Sequence, residues 1–399
     1  MEQCPESLWP LDQQVVFLNH GSFGSCPRPV QEEQQRLRDQ MEARPIEFLG
    51  RQLESRLDEA REQLAEFVQC DAQDLAFVPN ATYGVNSVLR SLDLQPGDEI
   101  LVTDHEYNAC RNVVDYVAER HQAKVVVVAL PFPLQHSDLI VEPLLAAVTS
   151  HTRIVLMDYV TSSTALVLPL MELVPKLRDF GVLTLIDGAH SPGLLDLDLR
   201  HIHADYFTGN CHKWMNTPKG AAFLYVRREL QNEVRPACIS HGANSPRTDR
   251  SRFLQEFDWT GTMDPTSILA IPAAIQFVEE NFPGGWPGLR DRNHKLALDG
   301  RALVLQALGM PAPAPDSMLA SMVAFPLPPE TSPTPPPSGW DPLQIALRDQ
   351  FNIEIPVSTW GRNPAGFAHR TIRFSVQWYN SIEQYQLLAN ALRDLGAAG

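Results

Sequence analysis

From position 75 onward the chain alternates short, nearly continuous apolar runs with longer segments whose apolar residues recur every three or four positions. Residues 75–78, 99–102, 125–129, 153–157, 182–186, 205–208 and 222–226 read as strands, and the segments near 80–92, 109–120, 139–149 and 170–180 read as helices. This alternation predicts crossover units around a mostly parallel seven-stranded sheet, an α/β fold. Ahead of it, residues 30–68 form a polar helical stretch whose Leu53, Leu57, Ala60, Leu64 and Phe67 repeat at helical spacing. That stripe faces either the core or a dimer interface. After Thr262 the pattern changes to helices near 268–281 and 286–308, a strand at 318–325, a strand at 370–376 and a closing helix at 382–395. Seven prolines between Pro326 and Pro337 exclude a helix or an inner strand there and predict an exposed, semi-rigid loop over 326–339. No internal repeat is present.

With 399 residues, 44% of them apolar, the chain can bury a large core and divides most simply into two domains. We expect a large α/β domain over 15–265 and a smaller α+β domain over 266–399 that takes in residues 1–14. The 48 acidic and 32 basic residues leave a net charge of −16, with no basic run of five, which argues against nucleic acid or an anionic membrane as partner. No stretch approaches the roughly 20 apolar residues of a membrane span, and the first ten residues lack a secretory pattern, so the expected address is the cytoplasm. Cys4, Cys26, Cys70, Cys110, Cys211 and Cys238 show no CxxC spacing and read as reduced thiols. No metal site is expected.

Two segments carry chemistry. Asp187 follows the apolar run 182–186 and is expected at the carboxyl end of a buried strand, where an unpaired carboxylate costs several kcal/mol. A cation is therefore expected beside it. Lys213, in Cys211-His212-Lys213-Trp214, lies 26 positions further on (213 − 187). An amine to hold an aldehyde and an acid to keep a pyridine nitrogen protonated are the two groups that pyridoxal 5′-phosphate (PLP) chemistry requires. A phosphate cup is predicted at Asn80-Ala81-Thr82, where Asn80 caps a helix whose free amides point at an anion and Thr82 adds a hydroxyl.

These segments, with Phe17 to Gly24 (FLNHGSFG), Asp104-His105-Glu106-Tyr107-Asn108, Asp187-Gly-Ala-His190, Gly261-Thr262 and Arg373-Phe-Ser375, stand in an order that resembles the fold-type I PLP enzymes of the aminotransferase class V group. The resemblance covers roughly residues 15 to 395 and is closest to isopenicillin N epimerases and related lyases. It implies that Lys213 holds the cofactor and moves the α-proton, that Asp187 binds the ring N–H, and that His190 sits near the phenolic oxygen. It further implies phosphate contacts from Ala81, Thr82, Asn210 and His212, with Thr262 reaching in from a second subunit of a homodimer. The family commonly has serine where Asn210 stands. Arg373, with its fork of donors, and the backbone around Asn19, Gly21 and Ser22 are expected to hold the substrate carboxylate. Tyr107, with His105 as the alternative, is expected to cover the ring face and to serve as an acid opposite Lys213.

The implied reaction is epimerisation at Cα of an amino acid through a planar carbanion, for which Lys213 and Tyr107 supply proton donors on the two faces. The alternative is a C–S lyase acting by β-elimination. Transamination and a non-catalytic PLP-binding role rank lower. Desulfuration through a persulfide is disfavoured because no cysteine follows Cys238. His241, Arg247, Arg250 and Arg252 point either to an anionic distal group on the substrate or to a solvated surface.

Overall fold

In the computed structural model, which describes residues 6–328, 339–361 and 368–397, the apolar runs become the strands of a central sheet. Twelve strands occur among the described residues: β1 Val16–Phe17, β2 Leu75–Val78, β3 Glu99–Thr103, β4 Lys124–Val128, β5 Thr152–Asp158, β6 Leu183–Asp187, β7 Tyr206–Asn210, β8 Ala222–Val226, β9 Met322–Leu327, β10 Ile353–Glu354, β11 Val357–Trp360 and β12 His369–Ser375. Seven of them form one sheet in the order β2-β8-β7-β6-β5-β3-β4. Its β3, β4, β5, β6 and β7 run parallel to one another, while β8 runs antiparallel between β2 and β7.

Side chains alternate across this sheet. Leu101, Val155, Met157 and Ile186 enter one apolar layer with helices Leu53–Phe67 and Leu170–Asp179. Ile100, Val102, Ile154, Leu156 and Leu185 enter the other with helices Ala81–Leu89 and Asn108–His121. Burial on both faces explains why the inner strands read as unbroken apolar runs, whereas the edge strand β4 is partly exposed. The stripe Leu53, Leu57, Ala60 and Leu64 is buried within the single chain, and Phe67 packs edge-on against Trp286 with ring centroids 5.0 Å apart.

Three expectations shift. The stretch 30–68 is not one helix: Arg28–Ala43 ends just before Pro45, whose missing N–H cannot continue the ladder, and a second helical run starts at Pro45 and passes through a π-helical turn, Phe48–Gln52, into Leu53–Phe67. The strand expected at 318–325 begins at Met322, because Asp316–Met318 form a 3-10 turn. The N-terminal β1 pairs in parallel with β10, so the chain just after position 15 joins C-terminal elements rather than the large sheet. The smaller sheet has the order β11-β12-β9, antiparallel throughout, with β12 in the centre. Pro326 occupies its edge strand β9, a place that tolerates a missing donor. Most of the proline-dense loop lies outside the described residues.

Candidate active site

The carboxyl ends of β2, β3, β5, β6 and β7 converge on a cavity of about 250 Å³ lined by Thr82, Tyr107, Asp158, Asp187, His190 and Lys213, among others. Asn80 caps helix Ala81–Leu89, its Oδ1 accepting the Tyr83 amide at 2.9 Å. The Ala81 amide donates to Asn210 Oδ1 at 2.9 Å, so the donor expected to meet an anion is already engaged. Asn210, at the end of β7, thus ties the helix N-terminus to the sheet. The Thr82 amide and hydroxyl remain as first-turn donors with no acceptor among the described residues.

Asp187 ends β6 and is buried. Its Oδ1 accepts the Ala189 amide at 2.9 Å and its Oδ2 accepts the Cys110 thiol at 3.1 Å. Burial raises its pKa. Beside it in register stands Asp158, the last residue of β5. Glu106, from the turn after β3, completes a group of three carboxylates with ligand oxygens within 4.8 Å of one another. Sequence reasoning missed Asp158 and Glu106. The signal existed for Asp158, since it closes the apolar run 153–157 just as Asp187 closes its own.

Lys213 follows β7 and reaches His190, with Nζ 3.3 Å from Nε2. The Trp214 indole, which can only donate, points at His190 Nδ1 at 3.3 Å, and this assigns the proton of the neutral ring to Nε2. Burial holds the His190 pKa well below the usual value. A neutral His190 then donates to Lys213, which requires an unprotonated amine. Burial and the charge of Arg373 lower the Lys213 pKa to about 8, which brings that unprotonated form within reach near neutral pH. His212 donates from Nδ1 to the Ala221 carbonyl at 3.0 Å and its pKa falls to about 4, mainly through burial. Its other nitrogen can donate to an anion only in the imidazolium form, which a nearby phosphate favours.

The motif FLNHGSFG acts chiefly on Lys213. His20 is fully buried, receives the Tyr379 hydroxyl at its Nδ1 (2.8 Å) and donates from Nε2 to the Lys213 carbonyl at 3.1 Å. Gly24 has φ +70°, and a Cβ there would meet the carbonyl oxygens of His212 at 2.4 Å and Lys213 at 2.9 Å. Only glycine permits this approach. The Gly21 amide is taken by Ser375 Oγ at 3.0 Å and the Ser22 amide by the Asn19 carbonyl at 3.3 Å. Two of the backbone donors expected for a substrate carboxylate, the Gly21 and Ser22 amides, are therefore engaged within the chain, because the segment folds into a helical turn. The Ser22 hydroxyl, bonded to Asn19 Oδ1 at 2.5 Å, still lines the cavity.

Arg373, in the middle of β12, is buried behind that hydroxyl: Nη2 donates to Ser22 Oγ at 3.3 Å, Nη1 donates to the Ser162 carbonyl, and Nε has no partner among the described residues. Tyr107 stands half exposed (48%) at the cavity mouth with Phe23 (74%), another residue the sequence did not single out. His105 is turned away from the cavity. It is buried against Trp360 and holds Thr164 Oγ1 at 2.8 Å and the Leu130 carbonyl at 3.2 Å, which removes it as a ring-facing group. Thr262 is exposed and does not line the cavity of its own chain. Arg247 pairs with Glu54 and Asp249, Arg250 with Asp58 and Asp258, and Arg252 with Glu256, so these arginines are held by the chain's own carboxylates. His241 is exposed beside them.

The donor set fits PLP: a buried acid for a ring N–H, an amine of lowered pKa for an aldehyde, and unengaged helix N-terminal donors for a phosphate. Comparison with known proteins agrees. The aminotransferase class-V family model matches residues 17–388. An isopenicillin N epimerase from Amycolatopsis lactamdurans is 37% identical, covering 96% of each chain, and an L-cysteine desulfhydrase from Arabidopsis thaliana is 27% identical over 96% of this chain and 88% of its own. The apo structure of a cysteine desulfurase from Thermococcus onnurineus superposes with a TM-score of 0.78 at 20% identity, over 99% of this chain and 98% of that one. A terminal carboxylate on β6, an amine after β7 and a helix N-terminus after β2, all at one sheet edge and matched over nearly the whole length, place this chain in the aminotransferase class-V family of PLP-dependent enzymes.

Proposed function

We propose that the enzyme epimerises an amino-acid substrate at Cα, in the manner of an isopenicillin N epimerase. The observation that carries this reading is the placement of two proton-carrying groups, the low-pKa Lys213 amine and the Tyr107 phenol, on the wall of one cavity. The 37% identity to an isopenicillin N epimerase over the full length supports it. PLP, when bound, supplies the electron sink that makes the α-proton labile. Lys213 takes that proton, and Tyr107 returns one from the other side. Arg373, through Ser22, orients the substrate carboxylate, and Thr82 with His212 holds the phosphate. Thr262 of a second subunit adds a phosphate contact, which makes the working form a homodimer, and the enzyme is placed in the cytoplasm. Among the described residues no helix is long and apolar enough to cross a membrane.

β-Elimination at a C–S bond is the second reading, favoured by the full-length likeness to an L-cysteine desulfhydrase. It uses the same Lys213 and needs only a donor for the leaving sulfur, a role open to Tyr107. Incubation in deuterated water with racemisable amino acids and with cysteine conjugates separates the two. Exchange of the α-proton for deuterium with inversion and no fragmentation is expected. Pyruvate and free thiol without inversion would replace the epimerase reading by the lyase.

A further inference from the structure

Three carboxylates crowd behind the place where the ring nitrogen is read to sit, and their surroundings differ in a way that ranks them. Asp187 accepts two donors, the Ala189 amide and the Cys110 thiol. Asp158 faces one, the backbone amide of Ser162, and its Oδ1 is buried with no donor among the described residues. Glu106 has neither oxygen satisfied among the described residues, although both are shut away from solvent. Three negative charges with oxygens within 4.8 Å of one another cannot all persist at low dielectric. Hydrogen bonds to a carboxylate favour its charge, so the proton that relieves the crowding belongs on the group with fewest of them. Glu106 is that group, and Asp158 is placed to accept from it.

The other charges facing the group do not take over this task. Lys213, His190 and Arg373 lie on the cavity side, with Tyr107 at the mouth. Arg111, on helix Asn108–His121, directs its guanidinium to Asp115 at 3.0 Å, and Cys110 on the same helix is spent on Asp187.

We propose that Glu106 and Asp158 share one proton and form a buried acid pair beside Asp187, a positioning device that makes the Asp187 carboxylate the stronger acceptor and so keeps the cofactor's ring nitrogen protonated. This rests on the reading of Asp187 as the partner of that nitrogen. The physical link is short: Asp158, left negative beside Asp187, raises the proton affinity of the Asp187 and ring-nitrogen unit, while protonated Glu106 spares the site a third charge. A glutamine at 106 keeps a donor toward Asp158, whereas an alanine does not.

The test uses holoenzyme carrying PLP labelled with nitrogen-15 in the ring, with the nitrogen resonance followed against pH. We expect the unmodified protein and Glu106→Gln to titrate together, and Glu106→Ala and Asp158→Asn to lose the ring proton about one pH unit lower, with PLP held about tenfold more weakly. A second readout needs no cofactor. The infrared spectrum of the cofactor-free protein should contain a buried carboxylic-acid carbonyl band that Glu106→Gln removes, which keeps the idea testable should either other variant fail to fold. A Glu106→Gln titration that moves with Asp158→Asn, an Asp158→Asn titration that does not move, or a missing carbonyl band would overturn the proposal. Failure of the unmodified protein to take up PLP at all would instead strike at the cofactor reading beneath it.

Discussion

At the scale of single residues, the Lys213 amine decides how the enzyme is loaded. Only the neutral amine attacks an aldehyde, and its pKa is lowered to about 8, so the initial rate of PLP capture should climb with pH and reach half its plateau near pH 8. Stopped-flow absorbance measures this, and a half-point near the ordinary lysine value would contradict the lowered pKa. Arg373→Lys should raise KM for the amino acid by tenfold or more while PLP capture is kept, because one ammonium cannot replace a fork that spans Ser22 and Ser162. Titration with substrate and with PLP separately distinguishes these effects. Of this site, Asp187 and Lys213 were legible because a charged residue closing a buried strand is costly and demands a partner. Glu106 was not, since nothing in an exposed-looking turn, Asp104 to Asn108, announces that its glutamate points inward beneath β5 and β6.

Among the elements, helix Ala81–Leu89 depends on two asparagines that do different work. Asn80→Ala removes the cap on Tyr83 and should cost about 1 kcal/mol of stability, read as a lower midpoint in urea. Asn210→Ala leaves the Ala81 amide without its acceptor and loosens the helix N-terminus from β7, and should weaken PLP binding by about three- to tenfold, the worth of one hydrogen bond. Equilibrium titration of the cofactor checks it. Strands buried on both faces announce themselves as unbroken apolar runs, which is why the seven-stranded sheet could be read from the sequence nearly strand for strand. Its neighbours were harder. A helical period continues across Pro45 although the ladder cannot, and the apolar stretch after Pro315 gives no sign that its first residues turn before β9 begins.

For the molecule as a whole, the homodimer reading predicts a sedimentation mass of two chains, with Thr262→Ala weakening PLP binding while the mass is unchanged. Thr262 is exposed and off its own cavity, so an effect on the cofactor would have to come from another subunit. A monomer, or a variant that binds PLP as tightly as before, would remove that reading. A separate consequence follows from the pairing of β1 with β10. The residues that press on the Lys213 backbone, His20 and Gly24, are positioned by a strand whose partner lies 337 positions later (353 − 16), and Ser375 and Asn380 fasten the same segment at the Gly21 amide and the Phe17 carbonyl. Contacts of such separation form late, after the intervening loop entropy has been overcome. A nascent chain on the ribosome can therefore assemble its central sheet well before Lys213 is braced, and appearance of vitamin B6 colour should follow synthesis through Ile353 to Asn380 rather than closure of the sheet.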